Sequence, residues 1–208
     1  FWYTTGMRDK EARELCPHCV ESFATAHVLE RTENFFIVCD ANPLTEGHIL
    51  IIPHKHLSCV GEFSPEMLDE FARLYDQVHK FVETTYGSVS AFEHGKIGQT
   101  VFHAHVHILP FDGTPDMIIP EGAKHITKID NIASVKLAYE REGQYLYFSI
   151  GDNSWLVNSS LGYPRFFRDR FANGLGNPDL SNWQATMNNA AIQEANLRTI
   201  RNVESKWH

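Results

Sequence analysis

No apolar run in this chain approaches the roughly 20 residues that a helix needs to cross a bilayer, which argues against a membrane-spanning role. The opening stretch FWYTTGMRDKEARELC lacks the basic start and apolar core of a secretory signal, so the chain is expected in the cytoplasm. Cations are scarce: 18 Lys and Arg stand against 26 Asp and Glu, for a net charge of −8. A surface that coats nucleic acid needs clustered Lys and Arg, so bulk nucleic acid is not an expected partner. A small nucleotide held in a local pocket is still allowed. There is no internal repeat and no low-complexity tract. Cysteine is limited to Cys16, Cys19, Cys39 and Cys59. Cys39 and Cys59 lie in apolar stretches and are expected as buried thiols. Cys16 and Cys19 form C-P-H-C, a metal or redox spacing more than that of a structural bridge, and no thioredoxin-like βαβ pattern follows them.

What is present reads as an α+β fold. HVLERTENFFIVCDANPLTEGHILIIP alternates strand, turn, strand, a Pro-marked loop and a strand from Gly47 to about Pro53, dense enough in apolar residues for the middle of an antiparallel sheet. SPEMLDEFARLYDQVHKFVETTYG predicts a long helix. Ser64 is its N-cap, Pro65 its first helical residue, Gly87 its stop, and Met67, Leu68, Phe71, Leu74, Tyr75, Val78, Phe81 and Val82 form its apolar face. SVSAFEHG and TVFHAHVHILP add two strands, for a mainly antiparallel sheet of about five. The texture changes after Pro110, dividing residues 1–110, a core with an N-terminal C-P-H-C segment, from residues 111–208, a strand-and-helix extension packed on that core. Within the extension, Phe111 to Gln144 reads as loop and ambiguous strand. QYLYFSIGDNSWLVNSS reads as a hairpin turning at Gly151-Asp152-Asn153, YPRFFRDRFANGLGNP as a short helix, and the last stretch as one helix or two. Arg165, Arg168 and Arg170 read as the solvated face of that short helix, although Arg also suits phosphate.

GQTVFHAHVHILP carries the chemistry. In an extended strand, side chains two apart share a face about 6.6 Å apart. Phe102, Ala104, Val106 and Ile108 are therefore expected to point into the core, and His103, His105 and His107 to point the other way. Burying three unpartnered imidazoles is costly, so they are expected to line a site. Two chemistries use imidazoles at this spacing. One is metal ligation; the other is nucleophilic attack at phosphorus through a covalent phosphoramidate. Gly98, Gln99 and Thr100, just before the run, would let a phosphate approach the backbone and offer it an amide and a hydroxyl.

Together with NPLTEGHILIIPHKH upstream, G-Q-T-V-φ-H-φ-H-φ-H-φ-φ-P resembles the histidine-triad (HIT) superfamily of nucleotide hydrolases and transferases, from about Cys16 to Pro110. The resemblance implies that His105 is the nucleophile taking the nucleotidyl α-phosphate, with His107 on the phosphate and leaving-group side and His48 supporting the active-site histidine. Transferase and phosphorylase branches commonly carry Gln at the third position, so His107 favours hydrolysis. Nucleotidyl transfer and a non-catalytic zinc and nucleotide-binding module are the alternatives. The resemblance also implies a homodimer and a small nucleotide substrate.

By similarity to the zinc-bearing branch, Cys16, Cys19, His56 and His103 would hold a structural zinc, which takes four N or S ligands in a tetrahedron. His18 and His54 are rival ligands. Asp40 stands where such proteins keep a ribose-binding Asp or Asn, with a turn cap as the alternative. Phe35, with Phe36 and Ile37, is a candidate base sandwich or else core. Where the family often has Asn-Gly, this chain has Glu93 and His94, which are expected to face substrate or to orient an active-site histidine.

Overall fold

The computed structural model describes residues 16–19 and 26–207; the stretch 1–15, read above for a secretory start, lies outside them. Five short runs form β1 (Val28–Arg31), β2 (Phe35–Cys39), β3 (Ile49–Pro53), β4 (Ser90–Glu93) and β5 (Val106–Leu109). They lie in the order β1-β2-β3-β5-β4, and every neighbouring pair is antiparallel.

The long helix α1 (Pro65–Tyr86) crosses one face of the sheet. Ser64 caps it by accepting from Met67 N–H, and Gly87 ends it at φ 83°, a left-handed conformation that glycine adopts without a Cβ penalty. Met67, Phe71, Leu74, Val78 and Val82 are buried along it and meet Phe35, Ile37, Ile49, Ile51, Val106 and Ile108 from the strands. Cys39 and Cys59 are buried free thiols, as their apolar surroundings predict.

Among the described residues the sheet has eight strands, where about five were expected. After Pro110 the chain adds β6 (Ile126–Ile129), β7 (Leu146–Ile150) and β8 (Asn153–Val157), extending the order through β4-β7-β8-β6. An unpaired strand edge is a row of bare N–H and C=O groups. β7 covers that edge of β4, from Ser90 opposite Ile150 to Glu93 opposite Tyr147. The extension thus continues the core sheet. β7 and β8 form the expected hairpin, turning through Gly151 and Asp152 with Gly151 at φ 51°. The stretch from Phe111 to Gln144, which carries no clear period, holds a single helical turn (Pro115–Ile118), β6 and α2 (Val135–Glu142). Elements of four to eight residues are too short to display a reliable hydrophobic repeat.

The face opposite α1 is covered by the extension. There α3 (Phe166–Gly174) brings Phe166, Phe167 and Phe171 against Phe92 and Phe148 of the sheet. A turn at Trp183–Thr186 and helix α4 (Ala190–Glu204) follow. The far end of α4 places Ile200 and Val203 in the core beneath α1. Among the described residues no helix is long and apolar enough to cross a membrane.

Candidate active site

β5 is shorter than the histidine run. It begins at Val106, leaving His103 and His105 in the irregular segment before it. β3 ends at Pro53, which has no N–H to offer a ladder, and Ala104 N–H donates instead to Leu57 O at 2.6 Å. Ala104, Val106 and Ile108 are buried as expected, but Phe102 is 40% exposed, because the segment has left the sheet at that point.

The imidazoles separate into two groups. His105 and His107, with ring centroids 5.0 Å apart, line a cavity of about 390 Å³ on the face opposite α1. His107 lies across from Leu50 of β3 and Phe92 of β4, and Phe92 stacks on its ring at 4.2 Å. His103 turns the other way, toward the Cys16–Cys19 turn.

Hydrogen bonds assign the protons of the first group. Leu44 N–H donates to His48 Nδ1 at 3.1 Å, so the His48 proton is on Nε2. That Nε2–H donates to His107 Nδ1 at 2.9 Å, which puts the His107 proton on its own Nε2. His107 Nε2 is buried and has no partner among the described residues. His105 donates from Nδ1 to His103 O at 2.6 Å, which leaves Nε2 as a lone pair. Burial lowers the pKa of His105 and holds that of His107 well below 6.5, while His48 falls to about 4, so all three rings are neutral near pH 7. A neutral imidazole with a free lone pair beside an N–H donor is equipped for nucleophilic catalysis with assisted departure of a leaving group.

Asp40 stands behind this chain of rings. Its Oδ1 accepts from Asn42 N–H at 2.8 Å, and its Oδ2 lies 2.9 Å from Arg168 Nη1, 3.5 Å from His48 Nε2 and 3.6 Å from His107 Nδ1. Burial opposes charge on Asp40, but the Arg168 guanidinium and the His48 ring outweigh it and hold the carboxyl well below the usual carboxylate range. Arg168 also donates from Nη2 to Asn42 O at 2.7 Å. Arg168 is therefore buried against the site, correcting its assignment to a solvated face, whereas Arg170 pairs with Glu121 and stacks over Phe166. A signal for Arg168 was present in the sequence: Phe171 and Ala172, at i+3 and i+4, are both buried, so Arg168 shares their side of the helix.

The other ligand-like group is Cys16, Cys19, His56 and His103, whose four donor atoms all lie within 4.8 Å of one another. Cys16 Sγ is 3.4 Å and Cys19 Sγ 3.3 Å from His103 Nδ1, and Cys19 Sγ is 3.0 Å from His56 Nδ1. Around a tetrahedral zinc, N and S ligands stand roughly 3.3–3.8 Å apart, so the donor set suits a metal ion of that kind. His103 Nε2–H donates to Pro53 O at 2.7 Å, which keeps the Nδ1 lone pair turned toward the thiols. Of the rival ligands, His54 bonds Thr32 O at 3.0 Å, and His18 leaves the cluster to line the cavity.

Four expected substrate contacts lie elsewhere. Phe35 is fully buried between Phe63 and Phe71 on the α1 face; strand alternation puts it with Ile37, away from the cavity. Glu93 is buried, accepting from Val60 N–H at 2.9 Å and Tyr145 Oη–H at 2.5 Å. His94 accepts from Phe167 N–H at 3.1 Å, satisfying an open donor at the start of α3. Gln99 donates to Ser58 O at 2.6 Å. Gly98, at φ 74°, serves a close approach by protein in place of phosphate: a Cβ there would meet Tyr163 O at 2.2 Å. Thr100 does line the cavity, and its Oγ1 accepts from Trp183 Nε1–H at 3.4 Å. Trp183, Met187 and Gln193 of the extension complete the wall. No local motif marks those three residues, because chain folding alone brings them to the site.

A HIT domain family model matches residues 22–114. Protein hit of Bacillus subtilis is 31% identical over 88 residues, 40% of this chain and 61% of that protein. The adenylylsulfatase HINT3 of Arabidopsis thaliana is 28% identical over 126 residues, 57% of this chain and 64% of that protein. An uncharacterized HIT-like protein of Mycoplasma genitalium is 30% identical over 108 residues, 49% of this chain and 77% of that protein. The chain thus spans about three fifths of the length of the Bacillus and Arabidopsis proteins.

Proposed function

Since this chain belongs to the HIT domain family, we propose that it hydrolyses a nucleoside 5′-phosphoryl derivative (a phosphoramidate, phosphoanhydride or nucleotide conjugate) through a covalent nucleotidyl-His105 intermediate. The observation that carries this reading is the free Nε2 lone pair of His105 in the cavity, with the unpartnered Nε2–H of His107 one ring away. His105 Nε2 attacks the α-phosphorus; the new P–N bond replaces the bond to the leaving group. His107 Nε2–H hydrogen-bonds the departing atom. The phosphorylated ring becomes cationic, and its Nδ1–H to His103 O bond steadies that charge. Water then cleaves the P–N bond, releasing the mononucleotide and neutral His105.

The remaining lining residues take supporting roles. Asp40 Oδ1, beyond its bond from Asn42 N–H, keeps a lone pair for a ribose hydroxyl. Thr100, whose oxygen accepts from Trp183, has its own O–H to donate to a phosphate oxygen. Trp183 and Met187 of the extension take over the base platform from Phe35. His48 fixes the His107 tautomer. The division after Pro110 is then one of labour: the core holds the reacting groups and the extension the specificity wall. Cys16, Cys19, His56 and His103 would hold a zinc ion in a structural role, and it would tie the Cys16–Cys19 turn to the segment that ends in His105. The protein acts in the cytoplasm. A homodimer would meet away from β4, because β5 and β7 occupy both of its edges.

The test is to incubate the protein with adenosine 5′-phosphoramidate or diadenosine tetraphosphate, follow AMP release, and trap labelled nucleotide on the enzyme. His105→Ala should lower turnover at least about a thousandfold and abolish the trapped adduct. Retention of full activity removes the mechanism. The extension wall favours one second reading, transfer of the nucleotidyl group to an acceptor, which would make product formation depend on added phosphate or sugar phosphate. Tight nucleotide binding without a trapped adduct would point to a non-catalytic module.

A further inference from the structure

The C-P-H-C turn holds a residue that neither the metal set nor the proposed reaction uses. Cys19 N–H donates to Cys16 O at 3.1 Å, closing a tight turn with Pro17 and His18 at its tip. With both thiols facing His103 or His56, the tip is carried over the cavity, and both Pro17 and His18 line it. The His18 ring lies 5.1 Å from that of His105, tilted at 55°, and 5.6 Å from His103, edge to face. His105 is therefore flanked by two imidazoles at nearly equal distance, His107 at 5.0 Å and His18 at 5.1 Å.

His18 is 6% exposed, and its Nδ1 has no hydrogen-bond partner among the described residues. Leaving a buried polar atom unsatisfied is unfavourable, and a ligand supplying the partner would remove that cost. Two such atoms, His18 Nδ1 and His107 Nε2, belong to residues lining this one cavity. Charge in the lining is balanced: Arg168 is the single cation among the lining residues, and it is bound to Asp40. Phosphoryl oxygens entering here would thus be met chiefly by neutral donors.

Resting on the reading that the cavity takes a nucleoside 5′-phosphoryl group, we propose that His18 is a substrate-contacting residue, its Nδ1–H donating to a non-bridging oxygen of the phosphorus held against His105. His107 then serves the leaving group and His18 the phosphoryl oxygens. His18 takes no part in holding the metal.

His18→Phe keeps a buried ring of similar size and removes the donor; His18→Gln returns an amide donor. Calorimetric titration with AMP, and with adenosine as a ligand lacking phosphate, would be run on the wild-type chain and both variants, together with metal analysis. His18→Phe should bind AMP about tenfold more weakly. Its adenosine affinity and metal content should match wild type, and His18→Gln should recover part of the loss. Unchanged AMP affinity in both variants overturns the assignment, as does an equal loss for adenosine. Lost metal makes His18 a ligand and also overturns it. If the wild-type chain binds neither AMP nor adenosine, the nucleotide reading fails and takes this one with it.

Discussion

The two halves of the sheet satisfy their buried polar groups in different ways. In the core half, partners come largely from the core itself: Leu44 N–H serves His48, His48 serves His107, and His103 O and Pro53 O accept from His105 and His103. In the extension, polar groups reach across to the core: buried Arg168 to Asp40, buried Tyr145 to Glu93, and half-buried Trp183 to Thr100. A domain joined only through apolar area can be trimmed at the cost of exposed surface. Here removal of the extension would also strip a charge from its counter-ion and a carboxyl from its donor, which is more expensive per group. The extension is thus part of the electrostatics of the site as well as of its wall.

Breaking the Arg168 to Asp40 pair should have the largest effect. Arg168→Ala leaves a buried carboxylate uncompensated beside His48 and His107, with an expected loss of about 3–5 kcal/mol in unfolding free energy, measured by denaturant titration. Adding Asp40→Asn to that variant should return most of the loss. A cost under about 1 kcal/mol would mean that this ion pair adds little to the joint between the two halves.

Glu93 tests the seam through pH. Burial pushes its carboxyl up to about 7, against the bonds from Tyr145 and Val60, whereas its reference value is 4.5. The folded chain therefore holds this proton more tightly than the unfolded chain does. The contribution to stability is whole below pH 4.5 and is lost as pH rises through about 7. At about 1.4 kcal/mol per unit, the loss is on the order of 3 kcal/mol. Glu93→Gln does not titrate, so the stability difference between wild type and variant should drift by that amount between pH 4 and about pH 8. A constant difference would show that Glu93 is already ionised in the fold.

Trp183 sharpens the comparison at the ligand. If the extension supplies the base platform, Trp183→Ala should weaken nucleotide binding by about 1–3 kcal/mol, seen in KM, with kcat nearly unchanged. Equal losses in both would move Trp183 from the wall toward the reacting groups.

The legible parts of the molecule are those whose cause is local. The Ser64 cap, the Gly87 stop and the apolar spacing between them define α1, and the Gly151 turn with its flanking alternation defines the β7–β8 hairpin. Strand count was harder to read, because whether a hairpin extends an existing sheet or starts another depends on which edge lies open. Phe35 shows the same limit within a strand. Its neighbours reveal the alternation, but which parity faces the helix is decided by α1 packing on one side.

From its own residues the chain determines that three imidazoles gather in one short segment, that two thiols precede them at metal-binding spacing, and that a long amphipathic helix is there to cover one face. Period and capping act over a few residues, so they are written in order along the chain. Tertiary structure alone decided that His18 leaves the thiols for the cavity, that Arg168 neutralises Asp40 from 128 positions away, and that Glu93 and His94 support the fold. Those outcomes depend on burial and on which partners burial brings within about 3 Å, and a long-range encounter of that kind leaves no local spacing behind.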